Sequence, residues 1–264
     1  MNNSITIFGF EIYYYAIIMA SSLLIGFILA KKEWLKQGLD EEVFNNLIFY
    51  LVVFGFIGAR TWYVLFSGNL DMYLSHPFEI INLRAGGLAI HGGILGGLLT
   101  IIYFAKKYKI PLLTITDIGV VSLIFGQALG RWGNFFNQEA HGPITSLEFL
   151  QSLHLPPFII EGMHIGASYY QPTFLYESCW NLLGFAFMLI IRPKIRNIKG
   201  LLTGFYLMWY GLIRIWIESL RTDALYFGSI KVAQLASGIM LVAGIILTTI
   251  VIVKYRKEQH ENRN

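Results

Sequence analysis

Thirteen residues, GRWGNFFNQEAHG from Gly130 to Gly142, concentrate hydrogen-bonding chemistry directly behind an apolar run, VVSLIFGQAL. They hold an arginine, two asparagines, a glutamine, a glutamate and a histidine. If the stretch is helical, Arg131, Asn134 and Gln138 share one face at i, i+3 and i+7. Gly130 and Gly133 thin the backbone there, and Glu139 and His141 follow near the boundary of the apolar region. A guanidinium beside amides is a fork suited to an oxyanion such as phosphate. The plainer alternative is a helix leaving a membrane with polar side chains that reach for water.

Two other stretches carry chemistry of the same kind. In YGLIRIWIESLR, Tyr210, Arg214, Glu218 and Arg221 recur at i, i+4, i+8 and i+11 and so share a helix face. Glu218 can neutralise one or both arginines in a self-satisfied ladder. Two arginines against one glutamate also leave a positive charge for a ligand, and an arginine inside a membrane costs about 2.5 kcal/mol or more unless a cavity or partner receives it. In GGLAIHGGILGG, Gly86 to Gly97, the glycines form overlapping G-x-x-x-G pairs, which read as close helix packing. His91 in that stretch has Gly92 and Gly93 beside it, so a ligand can approach the imidazole, a base that works near neutral pH. The other reading of His91 is a satisfied core group. In PTFLYES, Glu177 is a candidate counter-charge for one of the arginines. Arg60 is read as structural and paired with an acid. Cys179, the one cysteine, is read as a buried inert thiol. The chain contains no G-x-S-x-G, H-E-x-x-H or P-loop pattern, and no set of Asp, Glu and His at metal-ligand spacing.

These residues need apolar elements to hold them. Of the 264 residues 55% are hydrophobic and 14% charged, and the mean hydropathy is +0.57. Soluble domains carry about 25% charged residues, so the composition indicates an integral membrane protein with little left for a soluble domain. A spanning helix takes about 20 apolar residues. Seven segments qualify: Tyr13–Ala30, Leu47–Phe66, Leu88–Ala105, Asp117–Gly130, Thr173–Ile191, Leu201–Leu220 and Val232–Val253. The opening MNNSITIFGFEIYYY has neither a basic region nor a cleavage site, so the first span is expected to stay in the mature protein.

The basic residues orient these spans. Fourteen of the 20 fall in alternate segments: Lys31, Lys32 and Lys36; Lys106, Lys107 and Lys109; Arg192, Lys194, Arg196 and Lys199; Lys254, Arg256, Lys257 and Arg263. The positive-inside rule makes that side cytoplasmic, with the N-terminus outside and the C-terminus inside. Arg60, Arg84, Arg131, Arg214, Arg221 and Lys231 remain for the outer side or the spans. The expected fold is therefore an all-α integral membrane protein with seven transmembrane helices. It is expected to form a single membrane-embedded domain over 1–264, with a small extracytoplasmic cap at about 142–171 and a basic cytoplasmic tail at 254–264. Within the cap, Thr145 is the expected N-cap of a short helix over SLEFLQSL, with Glu148 completing a capping box.

Taken together, GRWGNFFNQEAHG, GGLAIHGG, GAR, YQPTFLYES and YGLIRIWIESLRTDAL resemble the bacterial prolipoprotein diacylglyceryl transferases, in the same order and spacing across nearly the whole chain. The chain departs from that family at Tyr14-Tyr15-Ala16, where W-Y-G is usual, and at Arg84-Ala85, where an aromatic and a polar or acidic residue usually precede GG. The resemblance implies a seven-span enzyme of the bacterial plasma membrane with its active site toward the extracytoplasmic side. It implies transfer of a diacylglyceryl group from phosphatidylglycerol to the lipobox cysteine of prolipoproteins, with a thioether and glycerol 1-phosphate as products.

The implied site residues are Tyr15, His91, Arg131, Asn134, Glu139, Gly142, Tyr210, Arg214, Glu218 and Arg221. His91, Arg131, Arg214 and Tyr15 are expected at the chemistry. Arg131, Asn134, Glu139, Gly142, Tyr210, Glu218 and Arg221 are expected around phosphatidylglycerol. His91 would take the proton of the substrate thiol, Arg131 and Asn134 would bind the headgroup, and Arg214 would meet the leaving phosphate. Expected partners are the lipid bilayer, phosphatidylglycerol and lipobox peptides, with no nucleic acid, metal or other cofactor. An anion or lipid transporter and an intramembrane protease are the competing readings. The polar residues, concentrated in the outer half, disfavour a transporter, and the absence of Ser/His or paired-Asp motifs disfavours a protease.

Overall fold

The computed structural model describes residues 4–7, 9–82, 86–221, 226–228 and 230–262. Arg84, Ala85, Arg263 and the TDAL portion of the last motif lie outside the described residues. Seven long helices coincide with the seven apolar segments: α1 (Tyr14–Lys36), α2 (Glu41–Phe66), α4 (Ile90–Lys107), α5 (Leu112–Phe136), α8 (Thr173–Ile195), α9 (Leu201–Leu220) and α10 (Val232–Glu261). Between them lie the short helices α3 (Leu70–Ser75), α6 (Leu147–Ser152) and α7 (Pro157–Gly162). Among the described residues five helices, α1, α2, α5, α8 and α10, are long and apolar enough to cross a membrane. Glycines, His91 and two lysines dilute α4, and Arg214 and Glu218 dilute α9.

The all-α expectation is amended by three small antiparallel sheets. β1 (Ser4–Ile7) pairs with β2 (Phe10–Tyr13) just before α1. β3 (Ile144–Thr145) and β4 (His164–Ile165) flank β5 (Ser168–Tyr170). β6 (Tyr226–Phe227) pairs with β7 (Ile230–Lys231) before α10.

The chain divides into two compact units. The smaller, Lys31–Ile115, is built on α2 and α4, which run antiparallel, Gly92 meeting Gly58 and Gly96 meeting Phe54. Their contact is made of backbone: Gly92 lies on the Gly58 carbonyl and Gly96 on that of Phe54, with no room for a Cβ at either glycine. Gly92 and Gly96 thus serve close helix packing, as their G-x-x-x-G spacing led one to expect. At the other end of this pair, Asp40 caps α2 by accepting from the Val43 N–H at 3.0 Å.

Arg60, near the end of α2, overturns a second expectation. No acid meets it. Nε donates to the Ile80 carbonyl at 2.7 Å, Nη1 to those of Gly86 and Gly87 at 3.0 and 2.9 Å, and Nη2 to those of Glu79 and Asn82. A guanidinium carries five N–H donors, and here five carbonyls receive them. The two glycines turn with φ of +80° and +84°, and the Gly87 backbone lies against the guanidinium with no room for a Cβ.

The larger unit comprises residues 1–30 and 116–264. Its core joins Val121 and Ile124 of α5 to Met188 of α8 and to Leu202 and Tyr206 of α9. Asp117 on α5 supplies the cap that Gly200 lacks. Its carboxylate accepts from the Gly200 and Thr203 N–H groups at 2.6 and 2.8 Å, at the start of α9. Trp180 and Trp209 stack at 4.5 Å, and each indole N–H donates to the other's carbonyl at 3.1 Å. The buried face of α8 carries Thr173, Glu177, Asn181, Gly184 and Met188. Cys179 falls off that face and is exposed, so the buried-thiol expectation is corrected.

Residues 142–171 form a small layer of their own. Phe135, Leu150, Ile159, Met163 and Phe174 make its core. The N-cap of α6 is Ser146, accepting from the Phe149 N–H at 3.1 Å, and not Thr145. Thr145 is extended because it pairs with Tyr169 in the sheet. Hydrogen bonds from its own backbone N–H and from Ser146 hold the Glu148 carboxyl below the usual range.

Candidate functional site

Helix α5 brings Arg131 and Asn134 to its C-terminal end, and α8 presents Glu177 one turn from its own start. Arg131 Nε lies 3.0 Å from Glu177 Oε1. The other carboxylate oxygen of Glu177 accepts from Arg214 Nη1 at 3.2 Å. Arg214 Nη2 donates to Glu218 Oε2 at 2.7 Å, one turn further along α9, and Arg221 Nη1 lies 3.9 Å from that oxygen. Glu177 is therefore a bridge between two arginines from different helices, with its side chain only 2% exposed. The cluster sets Arg131, Arg214 and Arg221 against Glu177 and Glu218. Buried charge is tolerated in such a place because each carboxylate faces cations and hydrogen-bond donors.

Polar neighbours extend the cluster. Arg131 Nη1 donates to Asn134 Oδ1 at 3.3 Å, and Asn134 Nδ2 donates to Glu139 Oε1 at 3.0 Å. The Tyr210 hydroxyl faces Arg131. It stacks at 5.8 Å on Tyr206, whose hydroxyl accepts from Gln127 at 2.8 Å. Tyr15 lays its ring on Gly133, close enough to exclude a Cβ, while Tyr14 packs on Phe136 at 5.1 Å. The Tyr-Tyr-Ala start of α1 thus covers the end of α5.

Gly142 is squeezed between strand and helix: a Cβ there would stand 2.9 Å from both the Gln171 Cβ and the Thr173 methyl. Its N–H donates to the Gln171 carbonyl at 3.0 Å, and the Thr173 hydroxyl to that of Ala140 at 3.0 Å. Those bonds bring residues 140–143 onto the first turn of α8. A cavity of about 10 Å³ remains among Arg131, Glu177, Arg214 and Arg221, room for about one water.

The structure thus brings together Arg131, Asn134, Glu139, Tyr210, Arg214, Glu218 and Arg221, with Tyr15 and Gly142 packed against the segments that carry them. All belong to the larger unit. Gln138 is a correction: α5 ends at Phe136, Gln138 turns with φ of +53°, and its amide donates to the Gly162 carbonyl at 3.2 Å. It fastens the layer above and does not share the face of Arg131. His91 belongs to the smaller unit. It lies exposed in the first turn of α4, its ring 6.1 Å from that of Trp62.

Two residues outside the expected set support the site. Glu177, read from sequence only as a candidate counter-charge, is its centre. It is the one carboxylate in α8, and an acid alone in a membrane helix needs a buried partner, which was the available signal. Lys231 closes the end of α9, donating to the carbonyls of Glu218 at 2.7 Å and Arg221 at 2.9 Å. Nothing in its sequence spacing announced this. Among the described residues no group of three or more His, Cys, Asp or Glu could hold a metal ion.

Comparison with known proteins agrees with the motifs. The family model described as prolipoprotein diacylglyceryl transferase matches residues 2–250. The phosphatidylglycerol–prolipoprotein diacylglyceryl transferases of Bacillus cereus (strain 03BB102) and Bacillus thuringiensis subsp. konkukian (strain 97-27) are each 42% identical to this chain over 254 residues, 96% of it and 92% of theirs. That of Bacillus anthracis matches with the same identity and coverage. A match of this extent, carried by a chain whose arginines and glutamates converge in one buried cluster, places it: the chain belongs to the prolipoprotein diacylglyceryl transferase family.

Proposed function

We propose that this chain transfers the diacylglyceryl group of phosphatidylglycerol to the lipobox cysteine thiol of prolipoproteins. The observation that carries the reading is the Glu177 bridge, which holds two guanidinium groups, those of Arg131 and Arg214, on one buried carboxylate. That is a receptor for the phosphate of an anionic lipid. Family membership favours a transferase over the transporter and protease readings. We further propose seven spans in the bacterial plasma membrane, with the N-terminus and residues 142–171 outside, the tail 254–264 in the cytoplasm and the whole chain acting as one catalytic domain. The distribution of lysine and arginine supports this orientation.

In the proposed reaction the thiol gives its proton to His91, and the sulfur attacks the glyceryl carbon that bears the phosphate. The carbon–oxygen bond breaks as the carbon–sulfur bond forms, and glycerol 1-phosphate leaves with the electron pair. Arg131 and Asn134 hold the headgroup, and Arg214 meets the charge that grows on the departing phosphate. Tyr15 borders the same region. Glu218 and Arg221 orient Arg214, while Tyr210, Glu139 and Gly142 shape the headgroup pocket. A thiol with an ordinary pKa of about 8.5 needs a base. The nucleophile is the substrate's, so an exposed Cys179 has no part in it. With room for only about one water among the paired side chains, the phosphate enters by displacing a carboxylate from its arginine.

Incubating the purified protein with phosphatidylglycerol and a lipobox peptide tests the reading: glycerol 1-phosphate and a lipidated peptide should form together. Lipid movement without release, or a shortened peptide, would overturn it. Arg131→Lys should reduce both lipid affinity and turnover, because a point charge does not replace the fork. Unchanged phosphatidylglycerol affinity in that variant removes Arg131 from the headgroup site. His91→Gln should abolish transfer across neutral pH, and full activity there removes it as the base.

A further inference from the structure

We propose that the groove between α2 and α4 seats one acyl chain of an anionic phospholipid, with its headgroup held at the lysine end of α4. The groove encloses about 550 Å³, within the usual range for ligand sites of about 300–1,000 Å³. Phe54 and Ile57 of α2 and Leu99 and Tyr103 of α4 form its walls. Gly58 and Gly96 shut one end, where the two helices meet by backbone. From Gly96 to Lys107 the groove follows about 16 Å of helix, close to the depth of one leaflet of a hydrocarbon core about 30 Å thick.

Its chemistry is graded along that length. The glycine end is wholly apolar. The charged residue that lines the groove, Lys107, stands at the opposite end, with Lys106 and Lys109 beside it in sequence. The Lys107 ammonium lies 5.7 and 5.2 Å from the Tyr103 and Tyr108 ring centroids, and among the described residues it has no carboxylate partner. A narrow apolar slot that ends in a cation matches a lipid tail that ends in a phosphate. In a bilayer such a slot fills with hydrocarbon, and the lysines select which lipid supplies it. Under the orientation proposed above this is the cytoplasmic leaflet. The site lies in the unit that carries His91, whereas the arginine cluster belongs to the other. It does not depend on the transfer reaction.

Native mass spectrometry of the full chain tests this after reconstitution with equal phosphatidylglycerol and phosphatidylethanolamine and then delipidation. One anionic lipid should survive on the protein and should persist in Arg131→Gln. Lys107→Glu should lower the preference for phosphatidylglycerol over phosphatidylethanolamine by about fivefold or more, the factor equivalent to about 1 kcal/mol per lysine near an anionic leaflet. Ile57→Trp and Leu99→Trp, which fill the groove from opposite walls, should each remove the retained lipid, with transfer activity as the control for folding. The proposal is overturned if no lipid is retained, if both lipids are retained equally, or if Arg131→Gln strips the lipid. It is overturned equally if Lys107→Glu and whichever filling variant folds leave retention unchanged. Loss of transfer in every protein, with retention as expected, would instead count against the proposed function.

Discussion

Glu177 shows how much one carboxylate can set. Without it, Arg131 and Arg214 would face each other across a buried gap. Removing one partner of a buried ion pair costs about 3–5 kcal/mol, because the other charge is left uncompensated. Glu177→Ala should therefore lower the melting temperature in detergent and abolish transfer. Glu177→Gln, which keeps the shape and loses the charge, should do nearly the same. A Gln variant with normal stability and activity would mean that the bridge is incidental. At this scale the sequence was informative where partners share a helix. Arg214, Glu218 and Arg221 could be paired by counting turns. Glu177 could be named as a counter-charge, but not assigned two arginines, because its partners lie 46 residues back and 37 ahead in the chain. Arg60 was misread for the same reason: carbonyl acceptors have no letter of their own.

Elements were legible in kind and less so at their ends. Seven apolar runs gave seven helices, since each run is long enough to close its backbone hydrogen bonds internally. The ends depend on tertiary pairing. Thr145 lost the capping position to Ser146 because β5 takes Thr145 into a sheet, and Gln138 lost its helical face because α5 stops at Phe136. The end of α9 depends in the same way on Lys231. The last carbonyls of a helix lack internal partners, and a cation there also meets the negative end of the helix dipole. Lys231→Met should loosen that last turn and with it Arg221, raising KM for phosphatidylglycerol severalfold with a smaller change in kcat. Lys231→Arg should restore most of the loss. Equal effects on KM and kcat, or no rescue by Arg, would show that Lys231 serves stability alone.

For the whole molecule, the balance of lysine and arginine was the most readable property, and it bears directly on orientation. The exposed position of Cys179 makes a Cys179→Ser background the natural starting point for labelling. In that background a cysteine at Ser75 should react with a membrane-impermeant maleimide on intact cells, and one at Glu258 only after the membrane is opened. The reverse pattern would invert the proposed topology. The two-unit division was not legible, because no linker of distinctive composition separates the units; the boundaries fall within α1 and α5.

The loop that Arg60 fastens has a bearing on how this chain meets its environment. With Cys179 as its single cysteine, the chain cannot tie a loop to a helix by an internal disulfide. Five carbonyls gathered on one guanidinium make a cross-link of comparable reach, spanning residues 60 to 87, with no sulfur in it. Such a tie forms as soon as the chain folds, needs no oxidant, and is indifferent to thiols and peroxides. The tie from Arg60 to the carbonyls of Glu79, Ile80, Asn82, Gly86 and Gly87 should therefore hold in reducing and oxidising surroundings alike.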